Sequence, residues 1–303
     1  MKKLFIIAIC FAMITCKQKE KSDSGKLNVV TTTTMITDLV KNVGGDLITV
    51  NGLMGAGVDP HLYKASEGDV TKLFDADIIF YNGLHLEGKL VEVFEKMESQ
   101  EKTQVALAEV LDKNGLIGSE YFASNYDPHV WFNIDYFRQF VSEVVATLSR
   151  KDPGNAAKYA QNGSVFIAKL ITLENEVKQT IASLPVEKRI LVTAHDAFNY
   201  FGQAYDFEVV GLQGLSTATE AGVKDVQRLS AFIIEKGVKA IFVESSVPRR
   251  TIEALQEAVR AKGQEVKIGG SLYSDALGNP NTEEGTYLGM FRYNVNTIVN
   301  ELK

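Results

Sequence analysis

From Leu27 onward, short apolar runs alternate with stretches whose apolar residues recur every three or four positions, and this alternation restricts the fold more than any other property. Leu27–Thr31, Leu47–Leu53, Asp77–Tyr81 and Gln104–Leu107 read as strands, interleaved with helical patterns at Ile36–Val43, Val70–Phe74, Leu86–Met97 and Ile134–Leu148. The rhythm returns with strands at Arg189–Thr193, Glu208–Leu212, Ala240–Val243 and Val266–Ile268. Their helices fall at Ala197–Ala204, Val223–Glu235, Arg249–Lys262 and Glu284–Leu302. Strands that alternate with helices build βαβ units and a parallel sheet. The expected fold class is therefore α/β, with two Rossmann-like lobes, each around a parallel four-stranded sheet.

Between the two series stands Asp152-Pro153, a helix cap followed by a first-turn proline. Tyr159, Phe166, Leu170, Leu173, Val177, Ile181 and Leu184 then recur at steps of three, four or seven, which puts them on one face of a single helix. From Gly154 to Leu184 that helix would extend roughly 45 Å at about 1.5 Å per residue. A pair of shorter helices broken at Gly163 is the competing expectation. The domain limits expected are 27–151 for the first lobe, 152–185 for the linking helix and 186–303 for the second lobe.

The first residues carry a leader. Lys2-Lys3 precede an apolar run from Leu4 to Ile14, and Cys16 is followed by Lys17-Gln18-Lys19-Glu20-Lys21. The run has about half of the roughly 20 residues that a membrane-spanning helix needs, so residues 1–15 read as a secretory signal peptide. The segment resembles bacterial lipoprotein signals, which implies Cys16 as the acylated first residue of the mature chain and 16–26 as its tether, although Thr15 stands where Gly, Ala or Ser is usual; an ordinary cleaved signal is the competing expectation. The other cysteine, Cys10, lies inside the signal, so the mature domain has no disulfide and no thiolate metal site. A net charge of −6 offers no basic surface for nucleic acid.

The chain has only four histidines, and three of them sit beside a carboxylate: Asp59-Pro60-His61, Asp127-Pro128-His129 and His195-Asp196. Imidazole and carboxylate together suit divalent zinc or manganese. In parallel α/β sheets, ligands gather beyond the carboxyl ends of strands. His61 lies in the glycine-rich loop Met54–Leu62 after the second strand, His195 ends a strand, and Asp275 follows the last one by a short loop. His61, His129, His195 and Asp275 are the candidate ligands, two from each lobe. Asp59 and Asp127 are read as groups that shape turns or hydrogen-bond an imidazole, with Glu220 and Glu244 as outer candidates. His85, in Tyr81–Glu87, is read as structural.

Seven ordered segments, Met54–Leu62, Tyr81–Glu87, Asp127–Phe132, Leu191–Tyr205, Gly211–Glu220, Ile241–Leu255 and Gly269–Gly289, resemble the TroA-like, cluster A-I solute-binding lipoproteins of zinc and manganese ABC importers. The resemblance covers essentially the whole mature chain. It implies two α/β lobes joined by a backbone helix and a Zn2+ or Mn2+ ion carried on His61, His129, His195 and Asp275. It also implies an extracytoplasmic location, periplasmic or cell-surface, with an ABC permease and its ATPase as partners; a monomer is expected. In that family manganese specialists carry Glu at the third ligand position, where this chain has His195. Zinc specialists often carry a histidine-rich loop, which 109–125 is not. The resemblance leaves the choice of metal open.

Three other readings compete. A binding protein of the same architecture for haem, siderophore or cobalamin would need a broad crevice. A zinc hydrolase would need an open water position and a base, and no His-Glu-x-x-His pattern is present. An adhesin role has no independent support in the sequence.

Overall fold

The computed structural model describes residues 25–120 and 122–303; the signal peptide and Cys16 lie outside them. The first lobe contains β1 (Leu27–Thr31), α1 (Thr34–Gly44), β2 (Ile48–Gly52), α2 (Glu67–Asp75), β3 (Ile78–Tyr81), α3 (Val91–Glu98), β4 (Gln104–Ala106) and α4 (Ile134–Lys151). Its four strands form one parallel sheet in the order β2-β1-β3-β4. Val29, Val30, Ile78, Ile79 and Phe80 are fully buried, which explains why these strands read as apolar runs rather than alternating ones.

The helix between the lobes, α5 (Ala156–Ala182), is continuous. Pro153–Asn155 forms a separate 3-10 turn ahead of it, so α5 has 27 residues and spans about 40 Å. Gly163 lies within it without breaking it. A methyl placed on Gly163 would stand 2.5 Å from Val145 Cγ2 and 3.7 Å from Val141 Cγ1. The glycine is there because α4 and α5 pack closely at that point.

The second lobe holds β5 (Ile190–His195), α6 (Asn199–Tyr205), β6 (Glu208–Gln213), α7 (Val223–Lys236), β7 (Ala240–Glu244), α8 (Arg250–Arg260), β8 (Lys267–Leu272) and α9 (Tyr287–Leu302). All four expected strands are present. Their hydrogen-bonded ladders join them as two parallel pairs, β5 with β6 and β7 with β8, with β5 lying beside β7. The strand expected to end at Ile268 runs on through Gly269-Gly270 to Leu272. A register shift at Ile241/Phe242 accommodates the Gly270 backbone at φ +150°.

Other boundaries moved for local reasons. The helix expected from Leu86 begins at Val91, because Gly83, Leu84 and His85 all take positive φ and fold the chain around the buried Glu87 carboxylate. That carboxylate accepts from Thr32 Oγ1 at 2.7 Å and from the Asn82 and Gly83 amides at 2.8 and 3.2 Å. Helix α2 starts earlier than expected, at Glu67, through a capping box between Ser66 and Asp69.

One apolar core runs through both lobes along α5. It joins Val29 and Leu39 of the first lobe to Tyr200, Phe201 and Tyr287 of the second. Phe137 and Tyr287 stack across the lobes at 3.8 Å and 7°. Each lobe also has a smaller core of its own, around Leu73 and Met97 in the first and around Leu229 and Ile252 in the second. Separating the lobes would expose a shared aromatic core, which opposes wide opening. Among the described residues, no helix is long and apolar enough to cross a membrane.

Candidate metal centre

Four segments meet between the lobes, and each delivers one group: the loop after β2 gives His61, the stretch between β4 and α4 gives His129, the end of β5 gives His195 and the loop after β8 gives Asp275. Each of His61, His129, His195 and Asp275 offers an atom such that all four lie within 4.8 Å of one another, and all four residues are buried. His61 Nε2 is 3.3 Å from His129 Nε2. Asp275 reaches both sides: Oδ1 is 3.6 Å from His129 Nε2, and Oδ2 is 3.3 Å from His195 Nε2. A tetrahedral zinc ion with bonds of 2.0–2.1 Å would space its nitrogen ligands about 3.3 Å apart.

The polar atoms of the cluster are otherwise hard to satisfy. His195 Nε2 and Asp275 Oδ1, which face the centre, are buried with no hydrogen-bond partner in usable alignment, as are His195 Nδ1 and Glu244 Oε2 behind it. Buried polar groups are normally paired, so orphans converging on one point fit an ion placed among them.

Each imidazole is fixed from behind in its own way. Asp127 Oδ1 accepts both the His129 backbone amide at 2.9 Å and Nδ1–H at 2.7 Å, leaving the Nε2 lone pair to face the centre. Glu244 also backs His195, with Oε1 accepting the backbone amide at 2.8 Å and Oε2 lying 2.6 Å from Nδ1, near it but not aligned as a hydrogen bond. For His61 the support is through the main chain, where Asp59 Oδ1 accepts the amide at 2.8 Å. Sequence reasoning had anticipated Asp59, Asp127 and Glu244. Glu220 does not approach the cluster and instead pairs on the surface with Arg250 at 2.9 Å. His85 is exposed, outside the group of four, and turns its ring edge toward Phe122 at 6.2 Å.

The electrostatics divide the three histidines. Burial pushes the His61 pKa down to about 3, with the neighbouring His129 and His195 adding to the fall. Burial acts the same way on His195, but Glu244 and then Asp275 override it and hold the pKa well above the ordinary value. Burial would raise Asp275, yet His195 foremost pulls it below the usual carboxylate range. Without an ion, the carboxylates of Glu244 and Asp275 on either side of His195 favour its protonated form. A divalent ion would take the place of that proton.

Several contributors carried no signal in the sequence. Thr217 Oγ1 donates to Asp59 Oδ2 at 2.5 Å, tying the His61 loop to the opposite lobe. Asn199 Nδ2 donates to Asp127 Oδ2 at 3.0 Å, also across the lobes. Ser246 Oγ donates to Asp275 Oδ2 at 3.1 Å. Trp131 Nε1 donates to the Ser274 carbonyl at 3.0 Å and Tyr287 OH to the Trp131 carbonyl at 2.6 Å. Single hydroxyls and amides in loops have no spacing to read, so only coordinates reveal them.

The centre is a point. A groove beside it, about 450 Å³ and lined by Phe122, Asp196, Gln213, Glu220 and Arg228, contains none of the four donors. A macrocycle has no place among the four, which removes the main attraction of the haem or cobalamin reading.

Comparison with known proteins agrees with this geometry. The model of the ZnuA family, "Zinc-uptake complex component A periplasmic", matches residues 29–301. The manganese-binding lipoprotein MntA of Bacillus subtilis is 46% identical over 300 residues, covering 98% of this chain and 97% of its own. The zinc-binding protein TroA of Treponema pallidum is 47% identical over 281 residues, 93% of this chain and 90% of its own. The solved structure of TroA superimposes with a TM-score of 0.89 over 92% of this chain and 99% of that one. A manganese-bound periplasmic metal-binding protein from Candidatus Liberibacter asiaticus is 26% identical, with a TM-score of 0.78 over 91% of this chain and 100% of that one. With nearly its whole length matched by the family model, the chain belongs to the ZnuA family of zinc-uptake components.

Proposed function

We propose that this protein captures a divalent transition metal, zinc or manganese, between its lobes outside the cytoplasm and delivers it to an ABC importer. It is a solute-binding protein and not an enzyme, as its family is. His61, His129, His195 and Asp275 are the ligands proposed. The single observation that carries this is the meeting of four buried donors from opposite lobes at the spacing of a metal's coordination sphere.

Three neutral imidazoles and one carboxylate leave a bound divalent ion with one residual positive charge. Asp127 and Glu244, buried behind two of the imidazoles, offset it. Zinc suits such a set as a closed four-coordinate site, and by the Irving–Williams order it binds more tightly than manganese when both are supplied equally. The curated relatives bind one or the other, manganese for MntA and zinc for TroA, so cellular supply would decide the cargo.

The partners are a membrane permease and its ATPase, in keeping with relatives named substrate-binding lipoproteins of metal ABC transporters. Residues 1–15 act as the signal, Cys16 as the acylated anchor and 16–26 as the tether, holding a monomer at the membrane surface. The structural units are 27–151, 152–185 and 186–303. The test is competitive titration of zinc and manganese into the stripped protein, repeated with His195→Ala. Loss of both metals in the variant supports the reading, and unaltered binding removes His195 from the site. For the anchor, incorporation of labelled fatty acid should vanish in Cys16→Ala.

A further inference from the structure

The groove beside the metal centre, about 450 Å³, has the size of pockets that take small organic molecules. Ser119 and Phe122 line it from the first lobe, and β6, the loop after it and the start of α7 line it from the second. Two acceptors in it lack a donor. Gln213 is 6% exposed, and its Nε2 donates to the Thr219 carbonyl at 3.2 Å. That bond fixes the amide, because a flip would set two oxygens face to face. Oε1 is left buried with no partner. The Asp196 carboxylate lies over Gly211, where a methyl would stand 2.5 Å from Oδ1. Oδ1 accepts the Gly211 amide at 2.6 Å, and Oδ2 accepts nothing among the described residues. Residues 211 and 213 share one face of β6, so the two acceptors stand on the same side of it.

An orphaned amide oxygen and a free carboxylate oxygen together suit a group that donates several N–H bonds and carries positive charge, as an ammonium does. Arg228 on α7 supplies the opposite sign. It is exposed, lines the groove and forms no ion pair among the described residues. The other carboxylates that line the groove are engaged: Glu220 pairs with Arg250 at 2.9 Å, and Asp225 Oδ2 accepts the Gly222 amide at 2.9 Å. An unpaired guanidinium presents the fork that a carboxylate fits. Phe122, Leu212 and Leu215 add apolar wall.

We propose that this groove binds a small zwitterion of the amino-acid class, with its ammonium on Gln213 Oε1 and Asp196 Oδ2, its carboxylate on Arg228 and an apolar side chain against Phe122, Leu212 and Leu215. Such a ligand touches both lobes. None of the four metal donors lines the groove, so this site stands whether or not those four hold an ion.

The full chain, stripped of metal, is titrated calorimetrically with L-leucine and with leucyl-glycine, which set the two charges at short and longer separation. Isoamylamine and isocaproate, the amine and the acid alone, serve as controls. At least one zwitterion binds in the millimolar range or tighter, about tenfold more tightly than either half, as expected when a charge-assisted contact is added. Gln213→Leu weakens the zwitterion and isoamylamine alike. Arg228→Gln brings the zwitterion down to the level of isoamylamine, leaves isoamylamine unchanged and keeps the wild-type melting temperature and zinc affinity, since Arg228 is exposed and unpaired among the described residues. Absence of zwitterion binding in the millimolar range overturns the proposal. So does a control that binds as tightly as the zwitterions, or zwitterion binding left intact by Arg228→Gln. Failure of the wild type to bind zinc would instead strike the reading of the metal centre and leave this site standing.

Discussion

Replacing Glu244 with glutamine exchanges one oxygen for an amide and has a sharply defined consequence. The His195 backbone amide donates to Oε1 at 2.8 Å, so the glutamine must keep its carbonyl oxygen there. Its NH2 is then forced to face His195 Nδ1, where Oε2 now lies 2.6 Å away. A donor at that position demands a lone pair on Nδ1, so the ring keeps a proton only on Nε2, the atom that faces Asp275. The apo protein tolerates this, because Nε2–H can donate to Asp275. Metal binding does not, because the lone pair that should hold the ion is gone. Loss of an outer partner typically costs 10–100-fold in affinity, and a reversed tautomer puts this variant near about 100-fold, or about 2.7 kcal/mol. At a fixed excess of free zinc, the zinc-induced rise in melting temperature should shrink by about 5 °C relative to wild type. The apo midpoint should fall as well, because the carboxylate that favours protonated His195 is gone, so the zinc-induced shift is read within each protein. Differential scanning fluorimetry with and without buffered zinc measures both. An unchanged zinc-induced shift would refute the tautomer argument.

Asp127→Asn should behave differently, since one oxygen already serves both His129 donors and the new NH2 would face Asn199; zinc affinity falls less, while the apo protein loses about 1–3 kcal/mol, read by urea denaturation. Thr217→Val removes the link to Asp59 across the lobes, so zinc release to a chelator in stopped flow should quicken by about fivefold with little change in capture rate. Between pH 6.5 and 3 the unfolded chain binds a proton at His61 that the folded apo chain refuses, so apo stability falls with pH in that window and His61→Gln should flatten the slope in melts. His195 has the opposite sign. Its raised pKa stabilises the apo fold below about 6.5 and is lost only as pH climbs through the folded value, so metal capture near neutrality must expel its proton. Calorimetry in buffers of different ionisation enthalpy should detect about one proton released per zinc; none released would contradict the placement of that imidazolium. Gly163→Ala should cost about 1–3 kcal/mol through overpacking against Val145, again by urea denaturation.

The lobes and their linker were legible because burial on both sheet faces leaves strands as apolar runs, and because the stripe from Tyr159 to Leu184 keeps helical period over its whole length. The same stripe could not say what Gly163 was for. A glycine in a helix reads as a weak point until the neighbouring helix is seen 2.5 Å from where its methyl would be. Strand limits failed at Gly269-Gly270 and the helix start failed at Leu86, both places where unusual φ angles override local propensity. The proposed donors were readable as His and Asp in loops and at a strand end, two of them in Asp-Pro-His triplets, and Asp127 and Glu244 were readable from their proximity to histidine or to a strand terminus. Glu220, an outer candidate with neither mark, proved to be a surface ion pair. Thr217, Asn199 and Ser246 act across gaps of 158, 72 and 29 residues, and no local pattern marks such partners.

The central claim is that one ion is held by four side chains from two lobes. Crystals of the zinc-loaded protein, measured on either side of the zinc absorption edge, test it most directly. The account predicts one anomalous peak about 2.0–2.2 Å from the Nε2 atoms of His61, His129 and His195 and from an Asp275 oxygen. A strong peak elsewhere, with these four side chains free of it, would contradict the account.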